Sequence, residues 1–423
     1  MRKKQGPWKV LIAIVLGMVV GSLTQREGAI FGLKLFPIYD LCGKIFINSL
    51  TLVVVPLVGA SIITGIARIG KESSFGRLGA KTFGFYLGTS LLAILIGLFF
   101  VNILAPGKVI HPEQLMSVNV ADIQKHVATQ ETTRVSDFLN QIIPSNIFDA
   151  ISKGQMLSVI FFSLIFGWCI SKIETHSSAS LFSFFHGVFQ AMIEFTHLIM
   201  KFLPIGVFFL VARVFAETGF ESLHSIGLFT AAVLLGLITF MFIALPLLLK
   251  LIARVRPYRH FRAMGPALVT AFSTSSSSAT LPITIDCVEK RAGVSNRICS
   301  LVIPLGTSIN MSGSALYECV AAMFVAQAYG IDLSLTSQFI IVFLALITSI
   351  GVAGVPSASL VAIIAILKAM GLPIEGIGLF IAVDRILDMC RTTVNVFSDS
   401  CCAVLVARTE GEKNVLTKDT YTA

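Results

Sequence analysis

The sequence predicts an all-α polytopic membrane protein: eight transmembrane helices plus two re-entrant helical hairpins, laid out as inverted repeats. Three observations carry that prediction. The chain is 55% hydrophobic and 13% charged over 423 residues, with mean hydropathy +0.86, a balance that no water-soluble core of this length requires. Its apolar runs at 10–23, 86–105, 157–170 and 226–249 are longer than strands and nearly free of charge, as helices in lipid demand. Two further apolar regions are interrupted by small polar residues, a pattern that an ordinary lipid-facing span does not tolerate.

Taken in order, hydropathy marks six conventional spans at about 8–26, 36–67, 78–105, 141–171, 181–215 and 223–252, several too long to stand upright and therefore tilted or broken. Arg2, Lys3 and Lys4 precede the first span as in a signal peptide, but no small-x-small cleavage site follows; the segment reads as a retained first helix. The polar stretch at 106–140, with Lys108, Glu113, Asp122, Lys125 and Glu131, fits an external loop. Positive charge sets the orientation. Arg68, Lys71, Arg77 and Lys81 follow the second span, and Lys250, Arg254, Arg256, Arg259 and Arg262 follow the sixth; both groups belong in the cytoplasm, as do both termini. The loop after the fifth span offers Glu217 and Glu221 without lysine or arginine, and so lies outside.

From 263 onward the pattern changes. Ser273 to Ser278 interrupt the first unusual segment, with Arg256, Arg259 and Arg262 before it and Lys290, Arg291 and Arg297 after it. Both ends then lie on the cytoplasmic side, which makes 258–292 a hairpin. Ser349 to Pro356 interrupt the second, whose flanks hold Asp332 and Glu375 and little positive charge, so 334–373 is a hairpin entering from outside. A helix at 298–328, broken at Asn310–Ser314, lies between them, and a helix at 377–407 follows. Opposed hairpins, each followed by a helix, form an inverted repeat around a midplane site.

Net charge of +9 is spread over the ends of apolar segments, which suits membrane orientation rather than nucleic acid. The eight cysteines show no CxxC or disulfide-framework spacing and read as small core hydrophobes. No resident cofactor is implied. There is no GxSxG elbow and no GxxxxGK[ST] loop, which speaks against an intramembrane hydrolase and against a nucleotide-driven pump.

The last helix carries Asp384, Arg385, Asp388, Arg391, Asn395 and Asp399. A charge at the centre of a lipid-embedded helix costs at least about 2.5 kcal/mol, so such residues require a polar cavity and partners. At about 100° per residue, 384, 388, 391, 395 and 399 share an arc of roughly 80°, with 385 at its edge. Arg391 can clamp a carboxylate through two parallel hydrogen bonds, and Asp388 can hold an ammonium. An α-amino acid with an acidic side chain offers both. Carbonyls freed at the broken Gly306–Ser314 stretch, with Asn310, Asn395 and Asp399, suit a hard monovalent cation.

Four motifs, SSSSATLP at 275–282, IPLGTSINMSGSALYE at 303–318, SIGVAGVP at 349–356 and DRILDMCRTTVNVFSD at 384–399, together resemble the dicarboxylate/amino acid:cation symporter family, the glutamate transporters and their prokaryotic homologues. The resemblance covers essentially the whole chain. It implies a homotrimer in the inner (plasma) membrane, working as an elevator. Its scaffold is 1–72 and 141–222, its transport domain is 73–105 and 223–409, and 410–423 is a cytoplasmic tail. It implies a substrate site of Ser275, Ser277, Ser314, Val355, Asp388, Arg391, Thr392 and Asn395. One cation site is implied at Gly306, Asn310, Asn395 and Asp399, and a second at Ser308, Met311, Ser349, Ile350 and Val352. The third site of the family, at Tyr86, Thr89, Ser90 and 312, has Ser312 where relatives carry aspartate, so it is expected weak or lost. Arg385 either supplies a positive charge that some relatives carry at the position of Ser275, or is a simple partner of Asp384 or Asp388. Glutamate against aspartate, and sodium against proton, stay open; so do a neutral amino acid or C4-dicarboxylate substrate and an associated ion-channel activity.

Overall fold

The computed structural model describes residues 7–25, 28–30, 33–71, 76–109, 143–153, 155–218, 222–350 and 359–417, nearly all of them helical. α1 (Pro7–Thr24) leads through a two-residue antiparallel ladder, with Ala29 opposite Lys34, into α2 (Phe36–Lys71). Then come α3 (Gly76–Leu104), α4 (Ile147–Ser152), α5 (Met156–Lys172), α6 (Thr175–Met200) and α7 (Leu203–Thr218). α8 (Ser222–Thr239) continues through a π-turn at Phe240–Ala244 into α9 (Leu245–Leu251). Four stretches among the described residues, Phe36–Ala67, Leu78–Val109, Leu223–Ala253 and Asn296–Ala328, are long and apolar enough to cross a membrane. Large apolar side chains such as Leu23, Leu52, Phe99, Ile103, Ile243 and Leu247 face outward, which in lipid removes the penalty they would meet in water.

The interruptions predicted at 273–278 and 310–314 fall within those small polar runs, whereas the one predicted at 349–356 lies mostly outside the described residues. α10 (Pro257–Thr274) and α11 (Ser277–Asp286) are separated by Ser275 and Ser276. Ser275 takes a left-handed conformation (φ 49°) and caps α10, while the Ser276 hydroxyl accepts from Ala279 N and starts α11; serine is favoured at such a start because its oxygen satisfies an orphan N–H. α12 (Asn296–Ile309) and α13 (Ser312–Ala328) part at Asn310 and Met311. α14 (Leu335–Ser349) and α15 (Ser359–Ala369) flank 351–358, which lies outside the described residues, and α16 (Ile381–Thr409) closes the chain after a 3-10 turn at Ile374–Leu379.

The structure adds detail to three stretches of the sequence reading, the first of them among the spans expected to be tilted or broken. The span expected at 181–215 is two helices, α6 and α7, bent by 60° at Lys201–Phe202. The segment 106–140 is not a loop from its first residue: Pro106–Val109 form a 3-10 turn tied down by Ser225 Oγ donating to Pro106 O (2.5 Å) and Gly107 N donating to Gln327 Oε1 (3.2 Å). Residues 110–142 lie outside the description. The first part of the tail at 410–423 is docked: Val415 and Leu416 are buried, Leu416 N donates to Ala292 O (2.8 Å), and Glu412 accepts from Ser295 N and Oγ.

Packing falls into two groups that touch where α15 lies on α2 and α5 and where α16 reaches α7. α1 runs along α7, and α2 packs on α5, α6 and α7; the other group joins α3, α8 and α10–α16 around the largely buried α12–α13 pair. Glycine permits the closest crossing, since a Cβ at Gly21 would lie 2.4 Å from Ala212 O, a use of small residues common where helices meet in membranes.

Candidate functional site

α16 is held between the arms of two interrupted helix pairs, α10–α11 and α12–α13, so its polar face looks at their broken ends instead of lipid. Asp384, Asp388, Arg391, Thr392, Asn395 and Asp399 are all buried. The polar arc predicted for the helix is therefore interior.

At its upper end, Arg391 Nη2 donates to Asp384 Oδ1 (3.1 Å) and to Asp388 Oδ1 (2.9 Å). The guanidinium stacks over the Tyr317 ring, 3.8 Å from its centroid, and Tyr317 OH donates to Asp384 Oδ1 (2.9 Å). Arg391 is fully buried, yet its Nε and Nη1 have no hydrogen-bond partner among the described residues. An unmet buried donor costs about 1–3 kcal/mol, more when charged, so these two nitrogens favour an incoming anion. The second oxygen of Asp388 lies 3.5 Å from Arg385 Nη1. Two arginines thus face two aspartates, and this cluster is formally neutral.

Below it, Asn395 is a joint between α16 and the start of α13: its Oδ1 accepts from Gly313 N (2.7 Å), and its Nδ2 donates to Ser314 Oγ (3.2 Å) and approaches Met311 Sδ (3.3 Å). The break before α13 leaves the first N–H groups of that helix without partners inside it, and Asn395 takes up the one of Gly313. Thr392 Oγ1 donates to Asp388 O (2.8 Å). One turn further on, Asp399 Oδ1 accepts from Asn310 Nδ2 (2.9 Å) and no lysine or arginine pairs with it among the described residues. Gly306 is required by this contact, because a Cβ there would stand 2.5 Å from Asp399 Oδ1. Tyr86 OH donates to Val302 O (2.5 Å) beside it.

The expected third cation cluster is assembled but filled by its own hydrogen bonds. Ser312 Oγ donates to Asn310 Oδ1 (2.8 Å) and lies 3.1 Å from Ser90 Oγ and 3.2 Å from Ser398 Oγ, with Thr89 Oγ1 3.4 Å from Asn310 Oδ1. Ser275 and Ser277 are buried at the tip between α10 and α11, and Ser275 Oγ is unpartnered among the described residues. Ser349 and Ile350 end α14 with their amide and hydroxyl groups turned back on the helix. Val352 and Val355 lie outside the described residues, as does the side chain of Ser308.

Two site residues had no role in the sequence reading. Tyr317 positions Arg391, and Glu318, fully buried, accepts from Thr348 Oγ1 (3.0 Å), its other oxygen having no partner among the described residues. Both fall three and four residues after Ser314, hence on its face of an otherwise apolar helix, and that spacing is the signal that marks them.

The profile of the sodium:dicarboxylate symporter family matches residues 7–409. The chain belongs to that family. It is similar to the proton/sodium-glutamate symport protein of Bacillus caldotenax, 37% identical over 418 residues that cover 98% of this chain and 96% of that protein. It is 34% identical to the proton/glutamate-aspartate symporter of Escherichia coli over 408 residues, 95% of this chain and 92% of that protein. It is also 34% identical to excitatory amino acid transporter 3 of Mus musculus over 440 aligned positions, 92% of this chain and 82% of that protein. As a member of the sodium:dicarboxylate symporter family the chain is a membrane transporter and not an enzyme.

Proposed function

We propose that this symporter couples uptake of an acidic amino acid, glutamate or aspartate, to a gradient of sodium, protons or both. The observation that carries the reading is the pair of fully buried nitrogens on Arg391, one turn from Asp388, that have no hydrogen-bond partner among the described residues. A distal carboxylate meets the guanidinium, and the α-ammonium meets Asp388. Ser275, Ser277, Ser314, Val355, Thr392 and Asn395 complete the substrate site. The names of the bacterial relatives, glutamate and glutamate–aspartate symporters, agree with this substrate class.

Coupling follows from charge. Asp399 is a buried carboxyl without a basic partner among the described residues, and a buried carboxylate left uncompensated is strongly unfavourable. A cation held by Asp399, Asn310, Asn395 and the Gly306 backbone supplies the missing charge. Ser308, Met311, Ser349, Ile350 and Val352 offer a second cation site, largely through carbonyls. Glu318, buried with one oxygen that has no partner among the described residues, is placed to take a proton instead.

The transport domain of 73–105 and 223–409 moves as an elevator against the scaffold of 1–72 and 141–222, in a homotrimer in the plasma membrane with both termini cytoplasmic. Eight spans and two re-entrant hairpins related as inverted repeats provide the path, and the separation of the packing into two groups supports this division. Proteoliposome uptake with separately imposed sodium and proton gradients, over a panel of acidic and neutral amino acids and C4-dicarboxylates, tests it. Saturable, stereoselective, gradient-driven uptake of glutamate or aspartate is expected. Uptake restricted to neutral amino acids or to dicarboxylates would overturn the substrate assignment.

A further inference from the structure

We propose that Arg385 is a specificity-determining residue that occupies the ammonium subsite of the empty carrier and yields it only to a substrate bearing an amino group. The inference rests on the reading of Asp388 as the ammonium partner. Asp388 is buried, and its two oxygens face different arginines: Oδ1 accepts from Arg391 at 2.9 Å, and Oδ2 lies 3.5 Å from Arg385 Nη1. These two arginines are not equivalent. Arg391 has no exposed side-chain surface and is pinned by Asp384 and by the Tyr317 ring. The Arg385 side chain is 21% exposed, makes the longer contact, and stands at the edge of the polar arc of α16. Of these two cations on Asp388, only Arg385 has exposed side-chain surface.

An arriving amino acid therefore exchanges one cation for another. Its ammonium takes Oδ2, the guanidinium of Arg385 swings toward the exposed edge, and the charge beside Asp388 is unchanged. A diacid without an amino group has nothing to offer Oδ2. It binds best with Arg385 still in place, because its own carboxylates would otherwise face Asp388 with one compensating charge fewer. Arg385 thus opposes amino acid binding and supports dicarboxylate binding, so its removal moves the two ligands in opposite directions.

The test measures aspartate binding by calorimetry and succinate as a competitor of labelled aspartate, on purified wild type, Arg385→Ala, Arg385→Gln and Arg385→Lys. Arg385→Gln keeps most of the side-chain volume, so the comparison survives if the alanine variant folds poorly. Loss of the charge in either variant should tighten aspartate about two- to fivefold and weaken succinate by a similar factor, the range of a partly exposed ion pair. Arg385→Lys should stay near wild type. A parallel shift of both ligands, or no change in their ratio, would make Arg385 a packing residue and overturn the inference. Failure of the wild type to bind any acidic amino acid would instead overturn the proposed function.

Discussion

Arg391 presents five N–H donors, and the two aspartates beside it draw on one nitrogen, Nη2. The planar fork is therefore still available to a ligand, and lysine, a point charge, cannot replace it. Arg391→Lys should fold but lose about 2–3 kcal/mol of glutamate or aspartate affinity, roughly 30- to 150-fold, the strength of charge-assisted hydrogen bonds. Calorimetric titration checks this, and an unchanged affinity would remove Arg391 from the site. Ser312 makes the second prediction at this scale. Its hydroxyl closes a neutral network with Asn310, Ser90 and Ser398, which satisfies the oxygens that a third cation would need and supplies no negative charge to offset its desolvation. Wild type should therefore couple fewer cations per substrate than Ser312→Asp does. Reversal potentials of substrate flux in proteoliposomes at varied sodium gradient read both stoichiometries, and equal values would refute the idea. Asp388, Arg391 and Asp399 were legible in the sequence because a charge in an apolar helix is conspicuous. Tyr317 was not, since its role lies in a ring face turned toward Arg391, and a tyrosine in an apolar helix looks like core.

Breaks and ends decide behaviour at the level of the element. The gap at Asn310–Met311 frees Gly313 N for Asn395 and brings Gly306 against Asp399. Gly306→Ala would drive a methyl to 2.5 Å from Asp399 Oδ1 and 2.9 Å from Tyr86 OH. Overpacking of this kind costs about 1–3 kcal/mol, and because the strain falls on the carboxylate, cation dependence should shift further than substrate dependence. Uptake measured against sodium and proton concentration distinguishes this from general destabilisation, which would move all parameters together. The docked tail is the other case. Lys81 pairs with Glu410 (2.5 Å), Arg259 Nη1 donates to Leu416 O (2.9 Å), and Glu412 caps the start of α12 through Ser295. Truncation after Thr409 should lower the unfolding temperature and raise labelling of a cysteine placed at Ala292, because the segment between α11 and α12 loses its cover; equal labelling would make the tail a passive extension. The helix breaks could be read from serine, glycine and asparagine runs. The docking of 410–417 could not, because Val415 and Leu416 are too short an apolar pair to form a periodic signal.

For the whole molecule, one of the places where the two packing groups meet is Gly378, in the turn before α16, which faces Val214 of α7; a Cβ on the glycine would lie 3.4 Å from Val214 Cγ2. A Val214→Cys, Gly378→Cys pair bridged by mercury should stop uptake and leave substrate binding measurable, with uptake restored by thiol, if one group slides along the other during transport. Uptake that persists through a quantitatively formed bridge would count against the elevator. The amino-acid sequence by itself determined that the protein is a helical membrane transporter, where its helices are interrupted, and which face of α16 carries the charges. Hydropathy, periodicity and the rarity of charge in lipid are local properties, and each residue reports them without knowing its distant neighbours. Tertiary structure alone decided which partners those charges take: Arg391 with Asp384 and Tyr317, Arg385 with Asp388, Asn310 with Asp399, and the tail with the end of the first interrupted pair. These contacts join segments separated by up to hundreds of residues, or select one rotamer among several on the same helix, and both depend on close packing that no local pattern encodes.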